Sequence, residues 1–335
     1  MKTSYCFVLA LLFLVCFSCS NDDDSPPACP GQGIIGNETL SYTYFNSGTP
    51  NVTSQPISEG GSIFYENAFA QPVNNGVDIV IPGVRIRTDD SNFEITRIKI
   101  EEKTIGDECF VVQNEFNNAQ TSFQTDIATV LVLDMSSSLS DNINELKDYA
   151  KNFATTVVNS SDDSTVAVVF FSDRDNIFAT NFYTADNIQQ LINIIDVYSG
   201  FAERTALYEA VQTGIELLEN LNFDGIKSLV AFTDGGDNDS NNPSALLAQI
   251  NSSEIEKFAI GLRGADFQSA GLEAIVNENS NFVVADNIIA LENIFRIVAK
   301  GVVSIYEIRY TRSDQLLSED ETIEIRFSFQ SERIN

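Results

Sequence analysis

Histidine is absent from this chain of 335 residues. Its absence excludes Ser-His-Asp and Cys-His catalysis and His-ligated zinc, and it removes the commonest general base. The sequence also contains no G-x-x-x-x-G-K-[ST] loop and no G-x-G-x-x-G turn after a strand, which are the usual binding sites of nucleotide phosphates. Several large classes of enzyme are therefore excluded before any motif is considered.

Positive charge is also scarce. The chain has 19 Lys and Arg residues against 48 Asp and Glu residues, and its formal net charge at pH 7 is −29. A chain of this charge is a poor partner for nucleic acid and for anionic lipid head groups. The acidity suits divalent cations, although an acidic surface is most often only a solvated one. We expect no nucleic-acid partner.

The first eighteen residues have the anatomy of an export signal. Lys2 is followed by the apolar run from Tyr5 to Phe17, which is short for a membrane span. In the segment "VCFSCSNDDD", Cys19 follows a small serine, and this segment resembles the lipobox of bacterial lipoproteins, whose cysteine is lipidated. The acidic residues after it resemble the export tag of surface lipoproteins in Bacteroidota-type bacteria.

These resemblances imply a signal peptide over residues 1–18 and a lipid anchor on Cys19. The anchor would hold the protein at the cell surface, on the outer face of the outer membrane, and would be its only contact with the membrane. An ordinary signal peptide with a stray cysteine is the alternative.

Only two of the five cysteines remain for the folded part. Cys6 and Cys16 belong to the predicted signal, and Cys19 takes the lipid. An oxidising compartment favours a disulfide between Cys29 and Cys109, which would add about 4 to 5 kcal/mol by the chain-entropy estimate. Two unpaired thiols are the alternative.

The rest of the chain divides into segments that differ in composition and in the spacing of their apolar residues. Residues 19–33 are charged and then rich in Pro and Gly, which indicates a tether. Over residues 34–125, alternating segments such as "FEITRIKIEE" predict antiparallel strands with solvent on one face. Alternation returns over residues 302–335, where we predict a β-hairpin that pairs with the earlier strands. The intervening segment would then be an insertion in a small antiparallel β module.

Residues 126–301 alternate apolar strands with amphipathic helices. The predicted strands are residues 129–133, 165–171, 228–232, 256–260 and 281–285. The predicted helices are a stripe from Ile143 to Val157 and the segments 205–221 and 287–302. This order predicts a doubly wound α/β domain with a mostly parallel sheet.

Three polar segments follow the ends of these elements. "DMSSS" leaves the first strand, "ERTAL" opens a helix, and "FTDGGDN" leaves the strand at 228–232. In doubly wound sheets, ligands bind beyond the carboxyl ends of the strands. The segments supply two carboxylates and three hydroxyls, from Asp134, Ser136, Ser138, Thr205 and Asp234. Such hard oxygen donors suit Mg²⁺ or Mn²⁺ and disfavour soft metals.

In this order, the three segments resemble the metal-ion-dependent adhesion site of von Willebrand factor A domains. The resemblance covers about residues 126–301 and implies a Rossmann-like fold. It also implies that Ser136 and Ser138 ligate the ion directly, that Thr205 does so directly or through water, and that the two aspartates act mainly through water. Neutral hydroxyls leave the cation under-neutralised, so an acidic side chain of a protein ligand can complete its coordination. The implied function is binding, without enzymatic activity.

One departure from the family lies before Thr205, where Glu203 and Arg204 stand in place of a frequent glycine pair. Arg204 either attracts an acidic ligand at the rim or pairs with Glu203 or another nearby acid. We interpret residues 237–242 as a solvated loop and residues 172–176 as a turn.

Two other functions stay open at this point. The domain can be a structural or assembly component of the cell envelope, whose metal only stabilises loops. Metal-assisted hydrolysis through Asp134 and Asp234 is the third hypothesis, although the sequence offers no base or nucleophile beside them.

Overall fold

The structure is a computed structural model of the chain. It describes residues 29, 35–36, 38–45, 51–56, 62–65, 68–73, 76–88, 91–104, 107–113, 120–122, 126–264, 267–312 and 322–335. The predicted signal peptide, Cys19 and all of the predicted tether except Cys29 lie outside the described residues.

Sixteen strands are described, and they are β1 Glu38–Phe45, β2 Asn51–Pro56, β3 Ser62–Phe64, β4 Phe69–Val73, β5 Gly76–Thr88, β6 Ser91–Thr104, β7 Val111–Val112, β8 Gln120–Ser122, β9 Ile127–Asp134, β10 Thr165–Phe171, β11 Ile177–Ala179, β12 Ile226–Thr233, β13 Glu256–Leu262, β14 Phe282–Ala285, β15 Tyr306–Arg312 and β16 Thr322–Arg333. The described α-helices are α1 Ile143–Val158, α2 Ile188–Val197, α3 Leu207–Asn220, α4 Pro243–Ser252, α5 Ser269–Glu273 and α6 Ile288–Val303. Within the ranges given above, no helix combines the length and the apolar character that a bilayer span requires.

The central part of the chain folds as a doubly wound domain, which confirms the predicted fold class. Its six-stranded sheet has the order β11-β10-β9-β12-β13-β14, and every neighbouring pair is parallel except β10 with β11. All residues of β9, β10 and β13 are buried. The apolar runs in these strands predict burial on both faces, although β13 begins with the charged residues Glu256 and Lys257.

Successive residues of β9 point to opposite faces of this sheet and build two cores. Leu131 and Leu133 pack with α1, α2 and α6 on one face. Val130 and Val132 pack with α3, α4 and α5 on the other face. Gly214 lets α3 approach closely, since a Cβ atom there would lie 2.8 Å from Leu229 Cδ1 and 3.1 Å from Val130 Cγ1.

The remaining strands form a larger antiparallel sheet with the order β2-β1-β16-β6-β5-β15-β8. Off this order, β3 and β4 pair with β5, and β7 pairs with β6. The prediction that residues 302–335 form a hairpin is wrong, because β5 and β6 separate β15 from β16. Alternating burial identifies the inward face of a strand but does not identify its neighbour. Both C-terminal strands do pair with earlier strands, and the doubly wound domain lies between β8 and β15, which are themselves neighbours.

A disulfide bond links the first described residue to the segment between β6 and β7 of the larger sheet. Cys29 is bonded to Cys109, with 5.5 Å between their Cα atoms. The next residue, Phe110, packs its ring against the Arg326 guanidinium at 4.1 Å and the Lys103 ammonium at 4.8 Å. These cation–π contacts hold the segment that carries Cys109 against β6 and β16.

A buried ion pair joins the larger sheet to the doubly wound domain. Arg87 of β5 donates from Nη1 to Glu256 Oε1 at 2.9 Å, and Arg85 Nη2 lies 3.1 Å from Glu256 Oε2. Arg87 also pairs with Glu278 through Nη2 at 3.0 Å. Burial lowers the pKa of Arg87, and the negative charge of Glu256 opposes that effect. The junction between the two parts therefore depends on keeping these charges matched.

Replacement of Glu256 by Gln should weaken this junction. Arg87 and Arg85 would lose a charged partner while Arg87 stays buried, so we expect the free energy of unfolding to fall by about 3 to 5 kcal/mol in urea titrations. Asp286→Asn is the matched control, because its pair with Arg263 is exposed (63% and 78%) and should contribute at most about 1 kcal/mol. Equal unfolding midpoints for the two variants would contradict this account.

Candidate metal centre

Three of the five predicted ligands are joined by hydrogen bonds at the carboxyl edge of the parallel sheet. Ser138 donates from Oγ to Asp234 Oδ1 at 3.0 Å, and Ser136 Oγ lies 3.0 Å from Ser138 Oγ. The two serines lie where the chain leaves β9, and Asp234 directly follows β12. Two adjacent strands thus bring together side chains that are almost one hundred residues apart in the sequence.

Asp134 is the last residue of β9 and is fully buried. Its Oδ1 accepts the Ser136 backbone N–H at 2.7 Å, and its Oδ2 accepts the Thr233 hydroxyl at 2.5 Å. Burial raises the pKa of Asp134 to about 7, while the hydrogen bonds from Thr233 and Ser136 lower it and the charge of Asp234 raises it further. A cation beside this carboxyl would favour its ionised form.

Thr205 is buried next to the segment that carries Asp234. Its backbone N–H donates to Asn238 Oδ1 at 2.8 Å, and its carbonyl oxygen accepts the N–H groups of Asn238 at 2.9 Å and Asp239 at 3.2 Å. Its Oγ1 lies 3.8 Å from the position that a Cβ atom would occupy on Gly235. The structure therefore brings all five predicted residues to the same edge of the sheet.

Backbone hydrogen bonds tie together the loops that surround these residues. The N–H of Ser137 donates to the Ala202 carbonyl at 2.8 Å, and the N–H of Ala206 donates to the Ser172 carbonyl at 2.7 Å. The Ser172 hydroxyl donates to the Gly200 carbonyl at 3.3 Å. The segment that leads to Thr205 is thus fastened to the loops after β9 and β10.

The loop after β12 also caps the helix that follows Thr205. Asp237 Oδ1 accepts the Tyr208 N–H at 3.3 Å, and Ser240 Oγ accepts the Glu209 N–H at 3.2 Å. These contacts satisfy N–H groups in the first turn of α3, which have no partner within the helix. Burial raises the pKa of Asp237, an effect that the hydrogen bond from Ser240 opposes.

The interpretation of residues 237–242 as a solvated loop is wrong for Asp239, which is buried and accepts hydrogen bonds from two arginines. The sequence of a loop rich in Asp, Asn and Ser does not reveal which of its carboxylates meets a cation. Arg204 pairs with Asp239, in agreement with the expectation that it would pair with a nearby acid. Residues 172–176 form the expected turn, in which Asp173 Oδ1 accepts the Asp175 N–H at 3.2 Å.

The donor set at this edge fits a small, hard cation. Among the described residues, no group of three or more His, Cys, Asp and Glu side chains is placed to hold a metal ion. The candidate centre instead combines two carboxylates with hydroxyl oxygens. The Ser138 hydroxyl lies 3.0 Å from the Ser136 hydroxyl and 3.0 Å from the Asp234 carboxylate. Oxygen donors of this kind suit Mg²⁺ and Mn²⁺.

Comparison with known proteins defines the family. The family model of the von Willebrand factor type A domain matches residues 129–297, and the chain belongs to this family. A search among curated proteins gave no match.

Several solved structures resemble this fold. Proximal thread matrix protein 1 from the mussel byssus, described with a zinc-occupied MIDAS motif, is 20% identical over 59% of this chain and 50% of its own, with a TM-score of 0.46. The pilus adhesin SpaC from Lactobacillus rhamnosus GG is 14% identical over 80% of this chain and 44% of its own, with a TM-score of 0.47.

The vWF domain of the type V pili tip protein Mfa5 from Porphyromonas gingivalis is 12% identical over 54% of this chain and 96% of its own, with a TM-score of 0.45. The chain spans about half the length of the first solved structures that it matches.

Thr233 holds the Asp134 carboxyl and the Gly235 backbone by hydrogen bonds, and its replacement by Val should lower the stability of the fold. The variant deprives the buried Asp134 carboxyl of a donor and the Gly235 N–H of an acceptor. We expect a loss of about 1 to 3 kcal/mol in the free energy of unfolding, measured by urea titration in the presence of chelator. Thr156→Val, on the exposed side of α1, is the control and should change this free energy by less than about 0.5 kcal/mol. A Thr233 variant as stable as the control would refute the supporting role.

Proposed function

We propose that this chain is a binding module that captures a protein ligand through a divalent cation, Mg²⁺ or Mn²⁺. The proposed metal ligands are Asp134, Ser136, Ser138, Thr205 and Asp234. The observation that carries the proposal is the contact of the two serine hydroxyls with each other and of Ser138 with Asp234, at the edge where Asp134 ends its strand. The bound cation would supply an electrostatic contact for a carboxylate of the partner.

The burial of the individual side chains supports access from one side. Ser136 and Thr205 are buried, Asp234 is half-buried and Ser138 is exposed. The neutral hydroxyls would contact the ion without cancelling its charge, and the two aspartates would act mainly through water. A partner that approaches from the Ser138 side can therefore offer an acidic side chain to an under-neutralised cation.

The location of the protein is part of the same proposal. The lipobox-like segment and the acidic residues that follow it support export through a signal peptide and a lipid anchor on Cys19, at the outer membrane or cell surface. A position at the surface would place the candidate metal centre where other proteins can reach it. No enzymatic activity is part of the proposal.

Ser138→Ala should weaken cation binding while Ser140→Ala should not. Both serines are exposed and lie on the 3₁₀-helix Ser137–Asn142, but only Ser138 is a proposed ligand. In calorimetric titrations with Mg²⁺ or Mn²⁺, we expect the dissociation constant of the Ser138 variant to rise about tenfold or more and that of the Ser140 variant to stay unchanged. Absence of cation uptake by the unsubstituted protein would overturn the proposal.

The open coordination position can be tested with a simple carboxylate. Acetate added to the Mn²⁺-loaded protein should displace water from the ion and lower the paramagnetic enhancement of water proton relaxation, because a carboxylate is a better ligand than water for an under-neutralised cation. Acetamide, which has the same shape but no charge, should have little effect. If neither acetate nor acetamide changes the relaxation enhancement, the ion has no coordination position open to a ligand. That result would instead support an ion that only stabilises the loops.

A further inference from the structure

The carboxylate of Asp239 joins two arginines that come from different loops. Arg174, in the turn after β10, donates to Asp239 Oδ1 from Nη2 at 3.0 Å and to Oδ2 from Nε at 3.2 Å. Arg204 donates from Nη1 to Oδ1 at 2.9 Å. The Asp239 side chain is only 4% exposed, whereas that of Arg204 is 69% exposed. We call these three residues the Arg174–Asp239–Arg204 clamp.

Two of only 19 basic residues are committed to this one carboxylate in a chain of net charge −29. The hydrogen bonds from the Arg174 guanidinium, with those from its backbone N–H and from Arg204, hold the pKa of Asp239 well below its usual range. Asp239 is therefore ionised at neutral pH, and the clamp keeps its charge-assisted hydrogen bonds.

The clamp is connected directly to Thr205. Arg204 is the preceding residue in the chain, and the backbone N–H of Asp239 donates to the Thr205 carbonyl oxygen at 3.2 Å. The backbone N–H of Arg174 donates to Asp239 Oδ2 at 3.1 Å, which adds the turn after β10 to the same assembly. Asp239 thus holds the peptide group of Thr205 on one side and the neighbouring arginine on the other.

We propose that Asp239 is a positioning residue that sets the place of the Thr205 hydroxyl at the candidate metal centre. It does so by clamping Arg204 to Arg174 and by binding the Thr205 carbonyl. The proposal rests on the proposed function, because Thr205 matters there as a ligand. Because Arg204 directly precedes Thr205, the clamp fixes the side chain next to the proposed ligand.

The test measures Mn²⁺ affinity by calorimetry in Asp239→Asn. This variant keeps the size of the side chain and removes its charge, and we expect the dissociation constant to rise about tenfold, as for loss of a residue that orients a metal ligand. Asp286→Asn removes the same charge from an exposed pair and should leave the dissociation constant unchanged. Arg204→Ala should also weaken binding, whereas Arg204→Lys, which keeps a cationic donor for Asp239, should restore much of the affinity.

A double-mutant cycle separates positioning from general weakening of the fold. If Asp239 acts through Thr205, the Asp239→Asn effect should largely disappear when Thr205 is already replaced by Val. An equal effect with and without the Thr205 hydroxyl would overturn the proposal.

Hydrogen exchange in the presence of chelator supplies a readout that needs no ion. Exchange at the Thr205 amide should accelerate in Asp239→Asn and stay unchanged in Asp286→Asn. If the unsubstituted protein binds Mn²⁺ and Asp239→Asn binds it equally well, the clamp proposal fails while the proposed function stands. If the unsubstituted protein binds no ion, both fail.

Discussion

The parallel pairing of β9 with β12 is the constraint on which the candidate metal centre depends. The register sets Leu133 opposite Phe232, so Asp134 and Thr233 end the two strands side by side. The Thr233 hydroxyl can then reach the Asp134 carboxyl, and Asp234 emerges next to the serines that leave β9. Because successive side chains alternate between faces, a slip of one residue would send one of these groups into the core on the wrong side.

Burial of an acid at the end of a strand disfavours its charged form and strengthens its attraction for a cation. Asp134 lies in a fully buried position, where desolvation disfavours its charged form. The donors around it are hydroxyls and a backbone N–H, and none of them carries a charge that would cancel its own. An ionised carboxyl in this setting attracts a cation more strongly than the same group in water would. A buried acid at this position therefore destabilises the fold locally, and the proposed cation would offset that cost.

Much of this arrangement was predictable from the sequence because continuous apolar runs and helical stripes report burial directly. The strand that ends at Asp134 and the helix that follows Thr205 both belong to such patterns. The neighbours of β15 and β16 were not predictable, since alternation identifies a face and leaves the partner strand open. Asp239 was hidden for a related reason, because its partners Arg174 and Arg204 lie 65 and 35 residues away. Contacts over such distances leave no local periodicity.

The connections of the doubly wound domain to the larger sheet have a mechanical consequence. The chain enters the domain from β8 and returns from it into β15, and Tyr310 of β15 lies opposite Thr121 of β8. A tension applied to the doubly wound domain would reach the larger sheet through both strands at once. β15 is paired with β5 from Tyr306 to Arg312, so a pull along the strands loads these hydrogen bonds in shear, together and not in succession. For a pull in that direction, the attachment of the domain would fail only when these hydrogen bonds break together.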